Sequence, residues 1–466
     1  MDPLLMYVSE FAKLILDRLP YEPTQQQEVT AQALARFCRS SASHDSVFLL
    51  CGYAGTGKTT LVSALVRALH EVEVPTVLLA PTGRAAKVLA AYADYPASTI
   101  HRKIYYPPGQ GKPFAAVMDN PHKNTLFIVD EASMIGAKDA GSDVLTDLIH
   151  YVYSGHYCRI IFVGDTAQLP PVGCENSPAL RPEELRSYGL RVSRVQLTHT
   201  VRQAGSSGIL FNATAQRKQM LLDPLERPYF NFNFDDVFAL PGEDLQDTIA
   251  ELYSADGIDE TVLITRANWR ATKFNLAIRA QILDRTEELS RDELLLVAKN
   301  NYHWAAKVRE LDFIANGDTA RIVRIYSTEE RYGFHFADVR IEFPYRSVEL
   351  DCKIILECLT SDAPALTAEQ QQALFDAVYS DPALFTESTP RYVRLRAMKS
   401  NPYFQALQVK YAYAITCHKA QGGQWANVIA DLGGVQPEAL LTMDFHRWLY
   451  TATTRATQRL FYLNPF

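Results

Sequence analysis

A glycine-rich loop that follows an apolar segment constrains the fold of this chain more than any other feature. Residues 46–51 are apolar and rich in β-forming types, and they lead into Gly52-Tyr53-Ala54-Gly55-Thr56-Gly57-Lys58-Thr59-Thr60. Apolar residues then recur at helical spacing over 61–69. In a strand–loop–helix unit of this pattern, backbone N–H groups surround phosphates, the lysine reaches the β- and γ-phosphates, and the threonine hydroxyl holds Mg²⁺. The sequence therefore predicts an α/β fold with a site for a nucleoside triphosphate.

The composition is that of a globular protein with several domains. The chain has 466 residues, too many for one core, so two to four domains are expected. Its net charge of −7 argues against a protein that coats nucleic acid over its whole surface, although it allows a local basic channel. The seven cysteines are scattered without a Cys-x-x-Cys pair, which favours reduced thiols over a zinc site or a disulfide framework. No segment has the pattern of a secretory signal or a membrane span, so we expect a cytoplasmic location.

Four short apolar segments in the first 165 residues predict strands. They lie at 46–51, 75–80, 125–130 and 159–164, with helix-patterned segments between most of them. This alternation is typical of a parallel sheet with helices on both faces. Each predicted strand ends in polar or glycine-containing sequence, and open α/β sheets bind ligands at the carboxyl ends of their strands. Residues 102–124 interrupt the alternation and predict a small hairpin or loop insertion.

The second half predicts another α/β unit that a β-rich segment interrupts. A proline-containing passage at Pro224 and Pro228 marks the boundary. The predicted strands of this unit lie at 261–265, 411–415, 428–432 and 459–463. Between them, residues 317–401 open with an alternating apolar and polar run, which predicts a small β domain. Within that segment, Thr367–Gln370 has the pattern of a helix capping box.

Two adjacent carboxylates follow the apolar run Leu126–Val129. Because side chains alternate along a strand, Asp130 and Glu131 are expected to point to different sides and to do different work. Asp130 is predicted to hold Mg²⁺, directly or through water, and Glu131 to polarise the attacking water.

Three more residues complete the predicted catalytic set with Lys58 and Glu131. Gln168 lies in the segment 160–173, where its amide can contact the γ-phosphate or the catalytic water. Arg202 and Arg455 stand where a second domain can supply positive charge to the γ-phosphate. Such arginine fingers are worth about 10³–10⁵ in rate.

Together these segments resemble the motif set of superfamily 1 DNA helicases of the RecD/Dda-like, PIF-related branch, over nearly the whole chain. The segments that carry the resemblance are Gly52–Thr59, Pro81–Ala86, Thr99–Arg102, Asp130–Ser133, Gly164–Gly173, Arg202-Gln203, Asn316–Asp318, Tyr413–Gly422 and Tyr450–Ala456. The family implies two RecA-like parallel-sheet motor domains, with a small pin insertion in the first and an SH3-like β insertion in the second. The implied bounds are 1–225 for the first motor domain with its pin at 102–124, 226–316 and 402–466 for the two parts of the second motor domain, and 317–401 for the SH3-like insertion.

The resemblance also implies an activity and its site residues. The implied activity is ATP-dependent movement along single-stranded DNA, from 5′ to 3′, coupled to unwinding of tailed duplex DNA by a monomer in DNA repair or recombination. The implied cofactors are ATP and Mg²⁺. The ATP site would comprise Gln27, which meets adenine, with Gly52, Gly55, Thr56, Gly57, Lys58, Thr59 and Thr60, and Mg²⁺ would be held by Thr59 and Asp130. The DNA-binding residues would be Pro81, Thr82, Arg84, Thr99, His101, Thr416, His418 and Lys419.

Two departures from the family pattern are visible. Relatives often carry a glutamate that holds the ribose after the late Gln-Gly, whereas this chain has Gln424, which predicts looser sugar discrimination. The candidate pin is also short. Candidates for base stacking are Tyr105, Tyr106, Tyr403, Phe404 and Trp425, with core packing as the alternative. Candidates for backbone contact are Arg391, Arg394, Arg396 and Lys399, with a solvated basic face as the alternative.

Other functions fit the sequence less well. A motor or DNA-binding subunit of a larger repair or nuclease complex, without autonomous unwinding, is the main alternative. A nuclease would rest on Asp351-Cys352-Lys353, which lacks an upstream acidic partner. A GTP-dependent switch lacks the Asn-Lys-x-Asp guanine signature. RNA as the substrate stays open.

Overall fold

The computed structural model of the protein describes residues 7–39, 45–106, 116–136, 143–199, 207–308, 311, 314–344 and 348–465. The first part of the chain forms α1 (Val8–Asp17), α2 (Gln25–Arg39), β1 (Ser46–Gly52), α3 (Lys58–Glu71), β2 (Thr76–Ala80), α4 (Gly83–Ala93), β3 (Ala97–Thr99), α5 (Ile100–Ile104), β4 (Leu126–Val129), α6 (Val144–Ser154), β5 (Arg159–Gly164), α7 (Pro182–Ser187), β6 (Arg191–Leu197) and α8 (Gly208–Gln219).

The remaining elements follow in chain order. They are β7 (Val237–Leu240), α9 (Leu245–Asp256), β8 (Thr261–Thr265), α10 (Asn268–Gln281), β9 (Leu294–Val297), β10 (Thr319–Arg331), β11 (Phe334–Phe343), β12 (Val348–Ile355), α11 (Glu357–Thr360), α12 (Ala368–Tyr379), α13 (Arg391–Met398), β13 (Leu407–Tyr411), β14 (Ala414–Thr416), α14 (Cys417–Ala420), β15 (Trp425–Asp431), α15 (Met443–Thr453) and β16 (Ala456–Leu463).

The chain divides into two compact units. The first comprises Met1–Phe238, Gln421–Gln424 and Gly434–Leu460, and the second comprises Ala239–Ala420, Trp425–Gly433 and Phe461–Phe466. Two late segments of the chain therefore belong to the same unit as the glycine-rich loop. We call residues 421–424 the strap.

A parallel, RecA-like sheet forms the centre of the first unit. Among the described residues it has six strands in the order β3-β2-β4-β5-β1-β6, and each neighbouring pair is parallel. Helices cover both faces, because Phe48 and Leu50 belong to one buried cluster while Val47 and Leu49 belong to another. The four strands predicted in this region are confirmed, within one or two residues at each end.

The strand order brings the predicted chemistry together. Strands β4, β5 and β1 are neighbours, so Asp130, Asp165 and the glycine-rich loop all follow the carboxyl ends of adjacent strands. Strands β2 and β3 lie on the far side of β4, and Pro81 and Thr99 lie at their carboxyl ends. The sheet thus orders the predicted nucleotide and DNA segments side by side.

The second half contains another sheet and a barrel. The sheet has the order β14-β8-β15-β16-β7, and β8 is parallel to both β14 and β15. The closed barrel has the order β10-β11-β12-β13-β9. Residues 317–401 supply only three of its strands, because closure also uses β9 before them and β13 after them. The strand predicted at 411–415 is wrong as one element, since Tyr411 ends the barrel strand β13 and Ala414 begins β14.

A buried carboxylate joins elements of the second unit. Glu293 is fully buried before β9, and its oxygens accept from Nε and Nη2 of Arg279 at 3.1 Å each. Arg285 Nη1 donates to it at 3.2 Å, and the hydroxyl of Tyr413 donates at 2.7 Å. One carboxylate therefore ties α10, the start of the barrel and the segment before β14 together.

Removal of this carboxylate should destabilise the second unit strongly. Glu293→Gln leaves buried guanidinium charge without a counter-charge, so the free energy of unfolding in urea should fall by about 3–5 kcal/mol. The matched control is Asp351→Asn, which breaks the exposed pair with Arg340. Equal urea midpoints for the two variants would contradict this account of the network.

Candidate functional site

The glycine-rich loop requires glycine for backbone and for steric reasons. Gly55 and Gly57 have φ of +75° and +78°, in the left-handed region, and Gly57 leads directly into α3. A Cβ on Gly52 would lie 2.8 Å from Cγ of Lys58. The loop therefore leaves Lys58, Thr59 and Thr60 in the first turn of α3, where N–H groups without an intrahelical partner can bind phosphate.

Lys58 lies beside a buried carboxylate. Its ammonium donates to the carbonyl of Tyr53 at 2.9 Å and lies 4.0 Å from Oδ2 of Asp165. Asp165 is 1% exposed, and its other oxygen accepts from the N–H of Ala167 at 2.9 Å. The sequence reasoning included Asp165 in a motif but gave it no role, and its burial beside the lysine shows that it belongs to the site.

The two adjacent carboxylates differ in backbone conformation. Strand β4 ends at Val129, so the predicted strand alternation does not separate Asp130 from Glu131. Instead Glu131 has φ of +51°, a strained conformation for a residue with a side chain, and it leads into the short turn Ala132–Met134. The pKa of Asp130 is raised to about 7, mainly by burial and secondly by the negative charge of Glu131. The positive charge of Lys58 lowers it in part.

A late tyrosine bridges the loop and the buried carboxylate. Tyr450, on α15, is 1% exposed, and its hydroxyl accepts from the N–H of Ala54 at 2.8 Å and donates to Oδ2 of Asp165 at 2.7 Å. Burial, followed by the charge of Asp165, raises the pKa of Tyr450 well above its usual value, so the hydroxyl keeps its proton. The next residue, Thr451, accepts through Oγ1 from the N–H of Leu169 at 2.8 Å. Sequence reasoning missed both contacts, because neither residue type signals catalysis.

Of the three other residues predicted to be catalytic, Gln168 and Arg455 are both buried and differ in their hydrogen-bond partners. Gln168 is 7% exposed, and no described residue pairs with its Oε1. Arg455 is 4% exposed, and it donates to the carbonyls of Thr451 at 3.1 Å and Gly423 at 3.2 Å. Arg202 lies outside the described residues. The structure thus brings Gln168 and Arg455 into the first unit with Lys58.

Two consecutive glutamines of α2 support the loop and its surroundings. Gln27 is fully buried; its Oε1 accepts from the N–H of Thr24 at 3.0 Å, and its Nε2 donates to the hydroxyl of Tyr21 at 3.3 Å. Gln26 Oε1 accepts from the N–H groups of Thr198 and His199 at 2.9 and 3.0 Å. The Gln27 amide is thus engaged within the protein, and a role toward adenine stays a prediction.

The strap joins two segments that the sequence assigns to different ligands. Gln421 Nε2 donates to the carbonyl of Leu169 at 2.7 Å, next to Gln168. Arg84 Nη2 donates to the carbonyl of Gln424 at 3.2 Å. At Gly422 a Cβ would lie 3.2 Å from Cβ of Ala85 in α4. The strap therefore touches both the Gln168 segment and the start of α4.

The predicted DNA contacts of the first unit lie at helix starts. Thr82 caps α4 by accepting from the N–H of Ala85, and Thr99 caps α5 by accepting from the N–H of Arg102, each at 3.2 Å. Pro81 immediately precedes the first cap, and the ring of His101 lies 5.4 Å from that of Tyr105. The hydroxyls of both threonines can still donate, so capping and strand binding are compatible.

The predicted DNA contacts of the second unit lie at the end of β14. His418 is exposed, while Thr416 and Lys419 are half-buried. The ammonium of Lys419 donates to Oδ1 of Asn316, which joins two of the segments that carry the family resemblance.

Most aromatic stacking candidates are packed inside the protein. Tyr105 is 8% exposed and its hydroxyl donates to Asp147 at 2.7 Å, and Trp425 is 6% exposed. Tyr403 and Phe404 pack against the core beside the barrel. These four support the core alternative. The pin candidate has an antiparallel base, where the N–H of Tyr106 donates to the carbonyl of Ala116 at 2.9 Å, while its tip at 107–115 lies outside the described residues.

Two exclusions concern the described part of the chain alone. No group of three or more histidine, cysteine or acidic side chains there is arranged to hold a metal ion, and Asp351 and Lys353 of the nuclease alternative are engaged in ion pairs. Likewise, no helix in those ranges has the length and apolar character needed to cross a membrane.

Comparison with known families matches both ends of the chain. A family described as an AAA domain matches residues 24–218, and a UvrD-like helicase C-terminal domain matches residues 411–462. These matches cover the glycine-rich loop, both carboxylates, the strap and α15. The fold and the site thus define a P-loop protein whose sequence matches an AAA domain and a helicase C-terminal domain.

Individual relatives are distant. The ATP-dependent RecD2 DNA helicase of Deinococcus radiodurans is 27% identical over 441 residues, which are 94% of this chain and 50% of that protein. A protein of Acanthamoeba polyphaga mimivirus is 23% identical over 516 residues, 93% of this chain and 98% of that protein. Among solved structures, a Bacteroides Pif1 helicase in complex with ADP-AlF3 and ssDNA is 15% identical with a TM-score of 0.48, over 95% of this chain and 92% of that chain. The Candida albicans Pif1 helicase is 16% identical with a TM-score of 0.44, over 96% and 95%.

The two family matches and the RecD2 relative support the resemblance to superfamily 1 helicases of the RecD2/Pif1-like branch. This confirms the resemblance drawn from the sequence. The chain spans about half the length of the Deinococcus relative.

The raised pKa of Asp130 predicts that the metal-free protein loses folding stability as the pH rises. The folded carboxyl holds its proton up to about pH 7, against about pH 3.9 when unfolded, so ionisation removes stability as the pH rises through this window. Asp130→Asn should therefore melt higher than wild type in EDTA, and its advantage should grow from pH 5.5 to pH 8. The exposed Asp17→Asn is the control. A Tm advantage that is absent, or constant with pH, would contradict the prediction.

Proposed function

We propose that this protein is an ATP-dependent helicase that moves along single-stranded DNA and couples ATP hydrolysis to duplex unwinding. The observation that carries the proposal is that Tyr450 bonds both the glycine-rich loop and Asp165, in the same unit as the strap. The phosphate-binding loop therefore lies in one unit with the segment that contacts α4, whose first residues are predicted to touch DNA. The Deinococcus relative is an ATP-dependent DNA helicase, which supports the same activity.

In the proposed reaction, the first turn of α3 and the ammonium of Lys58 bind the β- and γ-phosphates of ATP. Glu131 polarises the attacking water, and its backbone has the strained conformation that is often found at functional sites. Gln168, whose Oε1 has no partner among the described residues, contacts that water or the γ-phosphate. Arg455 and Arg202 are the proposed sources of positive charge for the transition state.

The residues present fit a magnesium ion beside the phosphates. Asp130 is a carboxylate whose pKa is raised by burial and by its acidic neighbour, an arrangement that a divalent cation relieves. Asp130 and the hydroxyl of Thr59 would hold Mg²⁺, which supplies charge neutralisation to the phosphates when bound.

Coupling to DNA is proposed to run through the strap. A shift of the Gln168 segment on hydrolysis reaches Gln421 through its hydrogen bond to Leu169, and the strap contacts α4, whose start carries Pro81, Thr82 and Arg84. In the second unit, Thr416, His418 and Lys419 are the proposed contacts to the same strand. The barrel is proposed to be the SH3-like insertion of the family. Residues 102–124 are proposed to be the pin that separates the strands.

Direction of movement rests on the family resemblance, which implies 5′ to 3′. Duplexes with a single-stranded tail at either the 5′ or the 3′ end test it directly. Unwinding restricted to the 5′-tailed substrate supports the proposal, and unwinding restricted to the 3′-tailed one overturns the direction while leaving the motor intact.

The activity itself is tested by ATP hydrolysis with and without single-stranded DNA or RNA. Wild type should be stimulated strongly by DNA, and Glu131→Gln should lose at least about 100-fold in the stimulated rate because it lacks the general base. The control is the exposed Glu183→Gln, which makes the same chemical change outside the site. Hydrolysis indifferent to both nucleic acids would overturn the helicase proposal.

A further inference from the structure

The chain contains a long segment without acidic residues. Between Glu387 and Asp431 no aspartate or glutamate occurs, in a chain that has 53 of them. The segment begins with α13, whose sequence Arg-Tyr-Val-Arg-Leu-Arg-Ala-Met is followed by Lys399. A local excess of cations in an acidic protein points to an anionic ligand.

The four cations of this helix do not share one role. Arg394 is built into the fold: its guanidinium donates to the carbonyls of Thr389, Tyr379 and Thr386 at 3.2, 3.1 and 2.7 Å. Its guanidinium also lies over the rings of Tyr379 and Phe385. Arg394 therefore fixes α13 against α12 and does not belong to a ligand surface.

The opposite face of α13 carries an exposed stripe. Tyr392, Arg396 and Lys399 are spaced by four and three residues, so they lie on one side of the helix. Tyr392 is 74% exposed, and both cations are exposed. Met398, on the side away from this stripe, is 2% exposed and packs into the core beside the barrel with Phe336. The stripe thus lies on the exposed face of a helix whose other face packs against the protein.

We propose that Tyr392, Arg396 and Lys399 form a binding site for single-stranded nucleic acid on the barrel insertion. This inference rests on the proposed function, because it assigns an additional contact to the strand that the motor moves. The two cations meet successive phosphates, and the tyrosine ring stacks on a base without sequence preference. An aromatic ring beside two cations suits a ligand that carries both phosphates and bases.

The test measures binding of a fluorescein-labelled oligo(dT) strand by the full chain across salt concentrations. Tyr392→Ala should weaken binding about 5-fold or more, while Tyr392→Phe keeps the ring and stays within about 2-fold of wild type. Arg396→Ala/Lys399→Ala should reduce the slope of log K against log salt by about 1.4, because each phosphate contact on a single strand contributes about 0.7. Lys13→Ala/Arg67→Ala, two exposed cations of the first unit, removes the same charge and should leave the slope unchanged.

An abasic strand separates the two contributions. Tyr392→Ala should bind it as wild type does, since no base is available to stack, whereas the double cation variant should still lose affinity. Hydrolysis at saturating DNA should be unchanged in every variant, because the stripe lies outside the ATP site. If wild type binds oligo(dT) and the stripe variants match it in affinity and slope, the stripe proposal is overturned alone. If wild type binds no strand, the proposed function fails as well.

Discussion

One hydroxyl group, that of Tyr450, holds the site of the first unit together. It accepts from a backbone N–H of the glycine-rich loop and donates to Asp165, which itself lies 4.0 Å from the ammonium of Lys58. Only a group that is donor and acceptor at once can satisfy both neighbours in this buried place. Because burial keeps the phenol protonated, the bridge persists over the physiological pH range. The conformation of the loop thus depends on a residue nearly 400 positions later in the chain.

The strand order explains how so few contacts organise the rest. Since β4, β5 and β1 are adjacent, the acidic pair, Asp165 and the loop need no long connections to meet. The strap then reaches from Leu169 to α4 with the side-chain amide of Gln421, the backbone carbonyl of Gln424 and the close approach of Gly422. Both hydrogen bonds are donated by side chains, those of Gln421 and Arg84, so the proposed coupling depends on these two residues.

Much of this arrangement could be predicted from the sequence, and the reasons for the failures are specific. The apolar strands that lead into the glycine-rich loop, Asp130 and Asp165 were predictable because buried parallel strands are nearly continuous apolar runs. The break at Ala412 was not, since residues 411–415 are one apolar run that contains both the end of β13 and the start of β14. The roles of Tyr450 and Arg394 were also hidden, because a tyrosine in an apolar helix and an arginine in a basic cluster look like core and surface. Their hydrogen-bond partners lie far away in the sequence or are backbone carbonyls, which no pattern reveals.

Replacing Tyr450 with phenylalanine tests the central claim most directly. Phenylalanine preserves the ring and its packing but leaves the Ala54 N–H and the Asp165 carboxylate without their partner, at a cost of about 1–3 kcal/mol. In single-turnover experiments with bound single-stranded DNA, the account predicts that hydrolysis slows about 10-fold or more while the protein stays folded. Hydrolysis at the wild-type rate in Tyr450→Phe would show that the bridge is incidental, and it would contradict the account.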